Sequence, residues 1–151
     1  MTIGNLQFFN KRIIGPDANP LMVRYILFRC AAFGVYLHNM RRSDYDRALH
    51  NHPWPFVSVV LRGGYLEHHD QTVGGYKTAE WHKPGSVLVR PAEWRHRFEI
   101  EPGIRAWTLV IVGRRKQRWG FFLPTGFCWW RQHNEQLNIC EDRIIHTDGK
   151  D

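Results

Sequence analysis

Short apolar runs, cut at nearly regular intervals by glycine and proline, limit what this chain can fold into. Segments 33–40 (FGVYLHNM), 56–61 (FVSVVL), 86–90 (SVLVR) and 106–112 (AWTLVIV) are rich in β-branched and aromatic residues. Gly63-Gly64, Gly74-Gly75, Pro84-Gly85, Pro102-Gly103 and Thr125-Gly126 punctuate the sequence between and after such runs. Strands of about five to eight residues between turns of this kind predict an all-β antiparallel sandwich or barrel. Segment 21–30 (LMVRYILFRC) reads as one more strand, with a helix over 21–33 as the competing assignment, since so short an apolar run has no period that separates the two. Segments 65–67, 76–82 and 127–133 continue the pattern, and 119–124 is expected to pair back across a basic turn onto 106–112.

At 151 residues the chain is long enough for one domain with a sizeable core and too short for two ordinary ones. The expectation is a single domain over 1–151 with its core at about 21–131. Residues 1–20 then form a lead-in, and the polar tail from 134 is expected to end in a short helix. Seven tryptophans and a 43% apolar content argue for a packed interior and against disorder. No stretch reads as a signal peptide or a membrane span, so no membrane partner is expected. Cys30, Cys128 and Cys140 are odd in number and scattered, which predicts unpaired thiols in a reducing, cytoplasmic setting.

A net charge of +7 allows anionic partners. The only dense basic run, Gly113-Arg114-Arg115-Lys116-Gln117-Arg118, falls where a hairpin turn should be, and solvated turn charge explains it better than phosphate or nucleic-acid binding. Nucleic acid is therefore the weakest partner reading, to be recognised by steep salt dependence. A homodimer is compatible with the sequence and not indicated by it.

The chemistry concentrates in residues 48–65, ALHNHPWPFVSVVLRGGY. On extended backbone, residues two apart point to the same side, so His50 and His52 offer two imidazoles to one face. Two imidazoles suit a divalent transition metal and need a third ligand from elsewhere. His96, in 85–96 (GSVLVRPAEWRH), can provide it. The vicinal His68-His69 points to opposite faces and reads as surface, and a lone His38 reads as structural.

Read together, the two segments resemble the paired motifs of the cupin superfamily. The first, G-x5-H-x-H-x(3,4)-E-x6-G, is met at His50, His52 and then Gly63 or Gly64. The second, G-x5-P-x-G-x2-H-x3-N, is met at Gly85, Pro91 and His96. The resemblance covers residues 50–96 and extends to Val112. It departs at the glutamate ligand, where this chain has Phe56 or Val57, and at Asp44, Glu93 and Ile100. The whole chain, with its S-D-x-D-R lead-in at 43–47 and its late W-G-F, also looks similar to small cupin-like proteins of bacteria and their phages.

The resemblance implies a jelly-roll barrel whose mouth holds a divalent transition metal on His50, His52 and His96. Fe(II) comes first, with Zn, Mn or Ni as alternatives, because some cupins lacking the glutamate hold iron on three histidines. Ser58, Tyr65, His38 and Glu67 are candidate further ligands, and Glu67 is the only carboxylate among them. Phe56 is expected beside His52, closing the position the glutamate would take. Arg90, Tyr65, Trp54 and Ser58 are candidate substrate contacts, while Trp94, Arg95 and Arg97 are read as wall or surface. The leading function is a metal-dependent, oxygenase-like enzyme (or an isomerase) acting on a small anionic molecule. The alternative is a non-catalytic cupin module that binds a nucleotide, a sugar or another small ligand.

Overall fold

The protein is described by a computed structural model, which covers residues 2–3, 6–44, 48–70, 78–134, 137 and 139–142. The strands are β1 Thr2–Ile3, β2 Leu6–Ile14, β3 Met22–Arg29, β4 Gly34–Met40 and β5 Leu49–His50. They continue as β6 Phe56–Arg62, β7 Tyr65–His69, β8 Thr78–His82, β9 Val87–Arg90 and β10 His96–Glu99. The last are β11 Ala106–Val112, β12 Gly120–Leu123, β13 Gly126–Trp129, β14 His133–Asn134 and β15 Ile139–Cys140. Among the described residues no helix is long and apolar enough to cross a membrane. Segment 21–30 is a strand, so the helical alternative for it falls away.

Two antiparallel sheets make the body of the fold, one ordered β1-β2-β3-β4-β11-β6-β9 and the other β13-β12-β5-β10-β7-β8, and β14 and β15 pair as a small third sheet. Four pairs nest inside one another, β4 with β11, β5 with β10, β6 with β9 and β7 with β8. This is a long hairpin wrapped between two layers, which is the jelly roll the turn pattern called for. The sheets face each other without closing into a continuous barrel. Met40, Val60, Leu88 and Ala106 from the first sheet pack with Tyr65 and Phe98 from the second. A second cluster, Ile26, Tyr36, Val110 and Val112, carries Trp54 and Phe56 against it.

Strand alternation decides which side chains look inward. In β6, Ser58 and Val60 are buried while Leu61 is exposed; in β9, Leu88 is buried and Val87 and Val89 are exposed. The Gly63-Gly64 turn requires glycine, since both residues have positive φ and a Cβ on Gly63 would strike the Arg105 carbonyl.

Several expectations are corrected. Residues 6–14 are not a lead-in: β2 pairs along β3 from Gln7↔Arg29 to Ile14↔Met22. The strand after the basic run does not return to β11. It crosses to the other sheet, where β12 pairs with β5 and β13. The His68-His69 pair is not a surface pair, because His69 is buried and packs on Trp94 at 4.8 Å between ring centroids. Cys128 and Cys140 are joined in a disulfide and Cys30 is free. The β13 and β15 backbones bring the two Cα atoms to 5.6 Å, within disulfide reach. The argument for a reducing compartment from unpaired thiols loses that support. Tyr45–Arg47 of the S-D-x-D-R lead-in, the Gly74-Gly75 turn, the start of the 76–82 strand and the helix expected near the C-terminus lie outside the described residues.

Candidate metal centre

His50 and His96 are cross-strand neighbours. β5 pairs with β10 at His50↔His96, so their side chains stand next to each other on one face. His52 reaches the same place from outside a strand. β5 ends at His50, and the chain passes through Asn51-His52-Pro53-Trp54-Pro55 to the other sheet before β6 begins. Prolines at 53 and 55 cannot donate to a ladder, which is why the strand breaks here.

That crossing is held rigidly by the basic loop 113–118. Asn51 exchanges hydrogen bonds with Gly120, accepting from its N–H at 2.9 Å through Oδ1. Lys116 N–H donates to the Pro53 carbonyl at 2.7 Å. The Gln117 amide donates to the His52 carbonyl at 2.9 Å and to the Ala92 carbonyl at 2.6 Å. The charged side chains of Arg114, Arg115, Lys116 and Arg118 are exposed, as solvated turn charge should be. The Lys116 backbone and the Gln117 side chain clamp the histidine segment.

The three imidazoles converge. Ring centroids lie 5.2 Å apart for His50 and His52, 4.9 Å for His50 and His96, and 5.0 Å for His52 and His96. One ring nitrogen from each lies within 4.8 Å of the other two. The Nε2 atoms of His52 and His96 are 2.8 Å apart. Two nitrogens bound at right angles to one ion at 2.0–2.1 Å lie about 3 Å apart, so this spacing is that of neighbouring ligands.

Glu67 sets which nitrogen of His96 faces the group. It projects from β7 and is 1% exposed. His96 Nδ1 donates to its Oε1 at 2.5 Å, and Trp94 Nε1 donates to the same oxygen at 3.1 Å. Its Oε2 accepts from Arg90 at 2.7 Å and pairs with His82 Nε2 at 2.8 Å. Burial alone would push this carboxyl up. The hydrogen bond and charge of His96, followed by those of Arg90, outweigh burial and hold it below the usual carboxylate range. A carboxylate bonded to Nδ1 leaves the Nε2 lone pair of His96 directed at the other two histidines. Glu67 therefore stands behind His96. A second grouping of Glu67, Glu80 and His82 draws on this same engaged carboxylate.

Burial and neighbouring imidazoles push His50 and His52 well below the ordinary histidine range, so both are neutral at pH 7 and able to donate a lone pair. The charges pressing on His52 come from His96 and His50, then from Arg24 and His38. Phe56 sits edge-on to His52 at 4.8 Å between centroids and 6.2 Å from His96.

The remaining candidates separate. Arg90 is committed to Glu67 and lies over the Trp94 ring at 4.1 Å. Ser58 is buried on the inner face of β6, and Tyr65 is a core residue whose phenol burial pushes up. Trp54 meets Tyr36 edge-on at 6.3 Å. His38 accepts a 3.0 Å hydrogen bond from Arg24 Nε. Sequence reasoning passed over Arg24 and His82 and read His69 as surface, where it is buried. Arg24 carried a legible signal, a cation two residues before Ile26 on the buried phase of a strand.

No family model matches the chain, and no curated protein matches it. Solved structures do. A cupin-2 domain protein from Rhodospirillum rubrum aligns at a TM-score of 0.60 and 11% identity, covering 83% of this chain and 81% of that one. The polyketide cyclase RemF from Streptomyces resistomycificus aligns at 0.57 and 18%, covering 74% and 78%. The iron(II) form of HppE in complex with substrate aligns at 0.53 and 15%, covering 69% of this chain and 55% of that one. The chain thus spans little more than half the length of HppE. At these identities the likeness is one of fold.

Proposed function

We propose that this chain, whose fold is that of the cupins, is a metal-dependent enzyme holding a divalent transition metal on His50, His52 and His96, with Fe(II) first, and acting on a small anionic molecule. One observation carries the reading: three imidazoles, those of His50 and His96 buried and that of His52 partly so, meet within ligand distance, and Glu67 turns the Nε2 of the third toward the other two. A surface or core histidine needs no such arrangement.

Three imidazole donors, each neutral once it holds a metal, leave part of the ion's coordination sphere open, unlike a closed structural site. They also leave the ion's positive charge uncancelled, which favours an anionic ligand. When bound, such a metal supplies Lewis-acid or redox chemistry. The chain's own residues position and shield it. Glu67 fixes His96, Gln117 and Asn51 hold the His52 segment, and Phe56 covers one side with apolar surface. Iron(II)-loaded HppE and the cyclase RemF, which share this fold, support the enzyme reading. They do not carry their substrates over to this one.

The test is the metal content of the purified protein after reconstitution with Fe(II), Zn(II), Mn(II) and Ni(II) in turn. About one ion per chain is expected, lost in His50→Ala, His52→Ala and His96→Ala while the fold persists. A chain that holds no ion under any of these conditions refutes the reading. A metal-free chain that nonetheless binds a nucleotide or sugar establishes the binding module instead.

A further inference from the structure

The seven-stranded sheet carries an arginine on its inner face for which the metal ligands have no use. Cα partners across antiparallel strands share a face, and one such row runs Arg24↔His38↔Thr108↔Val60. Thr108 is 2% exposed and Val60 is 1% exposed, so the row looks into the space between the sheets. Arg24 spends only one edge of its guanidinium there. Nε donates to His38 Nε2 at 3.0 Å, and the group lies over the Tyr36 ring at 5.2 Å. Tyr36 stacks on His38 at 6.1 Å and meets Trp54 at 6.3 Å, so the assembly is braced by aromatic rings.

Among the described residues no carboxylate pairs with Arg24. Arg90, Arg95 and Arg97, by contrast, each form an ion pair with a carboxylate. A guanidinium placed inward without a counter-ion costs desolvation that one neutral hydrogen bond and one ring face offset only in part. Burial lowers its pKa to about 10, and Arg12 and Arg29 press in the same direction, yet it remains a cation at neutral pH. His38, kept neutral by burial and by Arg24 itself, is an acceptor that orients the fork without cancelling its charge. Tyr36, against which both Arg24 and His38 lie, belongs to the cluster that Phe56 packs on, and Phe56 meets His52 at 4.8 Å, so the assembly lies on the His52 side of the triad.

We infer that Arg24, oriented by His38 and backed by Tyr36, is the subsite that receives the oxyanion head group of the ligand, a carboxylate or a phosphate-type group, beside the triad of His50, His52 and His96. This deepens the function proposed above and rests on it for the identity of the site. With Nε held by His38, the two terminal amino groups remain to meet two oxygens, the geometry in which arginine recognises these anions. Arg90, which the sequence favoured for this task, is occupied by Glu67.

Binding of inorganic phosphate and of acetate tests the assignment, measured by calorimetry at fixed ionic strength on metal-free and zinc(II)-loaded protein. The chains compared are the unaltered one, Arg24→Gln, Arg24→Lys and Arg62→Gln, the last exposed at the end of β6. Arg24→Gln should weaken anion binding by about tenfold or more, the factor for losing one charge-assisted hydrogen bond. Arg24→Lys should fall between, and Arg62→Gln should match the unaltered chain. Preference for phosphate assigns a phosphate-type head group, and equal binding of acetate assigns a carboxylate. Anion affinity unchanged in Arg24→Gln, or no anion binding by any chain, overturns the inference. Where Arg24→Gln does not fold, protection of Arg24 from phenylglyoxal by phosphate decides, and absence of protection overturns it. Metal content is read on the same samples. An Arg24-dependent anion site in a chain that holds no metal leaves this inference standing and the metal reading fallen; bound metal with no Arg24 dependence does the reverse.

Discussion

Replacing Glu67 by Gln separates a residue that aims a ligand from one that is a ligand. The carboxylate accepts from four groups, with His96 and Trp94 on Oε1 and His82 and Arg90 on Oε2. A glutamine keeps the volume and one acceptor oxygen. If that oxygen stays with His96 and Trp94, the new amide places two donors against Arg90, which has no lone pair to offer. His82 can change tautomer and accept; Arg90 cannot. A half-buried guanidinium then loses its counter-charge, at about 3–5 kcal/mol. For a chain of this size that is a fall in Tm of roughly 10 °C or more. At the metal, the Nδ1–H of His96 keeps a neutral acceptor in place of a charged one, so its Nε2 becomes a weaker donor. Loss of such an outer partner costs about ten- to a hundredfold in metal affinity, or roughly 1.4–2.8 kcal/mol. The assay is competition against a chromogenic chelator for Kd, metal analysis at saturation for stoichiometry, and circular dichroism at low temperature for the fold. One ion per chain at saturation with weakened affinity is the expected result. A folded Glu67→Gln that holds no metal at saturation makes Glu67 a direct ligand and would falsify the arrangement described. Unchanged affinity refutes the orienting role.

Three further outcomes follow from the same geometry. Phe56→Glu puts a carboxylate beside His52, where the rings now lie 4.8 Å apart; metal should bind more tightly, while loss of the phenyl from its apolar cluster lowers Tm, and weaker metal binding in a folded variant counts against Phe56 occupying a ligand position. His38, His50 and His52 are all depressed by burial, so below about pH 6.5 the unfolded chain takes up protons the native chain refuses. Metal-free stability should hold above that pH and fall as pH drops through and below it, by up to about 1.4 kcal/mol per unit for each histidine; a flat thermal-unfolding profile from pH 7.5 to 5.5 refutes this. Reducing Cys128–Cys140, which closes a separation of 12 residues, should loosen β14–β15 at a cost of about 2–3 kcal/mol without lowering metal occupancy, read by hydrogen exchange and metal analysis; loss of metal on reduction contradicts the separation of tail and site.

Much of this protein follows from neighbouring residues alone. Alternation in 56–61 and 106–112 marks the buried phase of two strands, and glycine at 63 and 64 marks a turn with positive φ, because both depend on a few adjacent dihedrals. The convergence of His50 and His52 was legible for the same reason, although on a broken strand and not a continuous one. What depends on register was hidden. Glu67 meets His96 across 29 positions because Phe98 pairs with Glu67, and local sequence does not choose between a ligand and a residue standing behind one. Arg24 meets His38 only because β3 and β4 align at that pair, on one side of a register shift between Ile26 and Phe28. The partner of β12 was likewise decided by the crossing between sheets, which brings Gln117 onto His52 and places the strand beside β5. Sequence by itself determined the inward phase of the clearest strands and that the imidazoles of His50 and His52 gather; tertiary structure decided which groups touch, since pairing register is settled by packing across the whole sandwich.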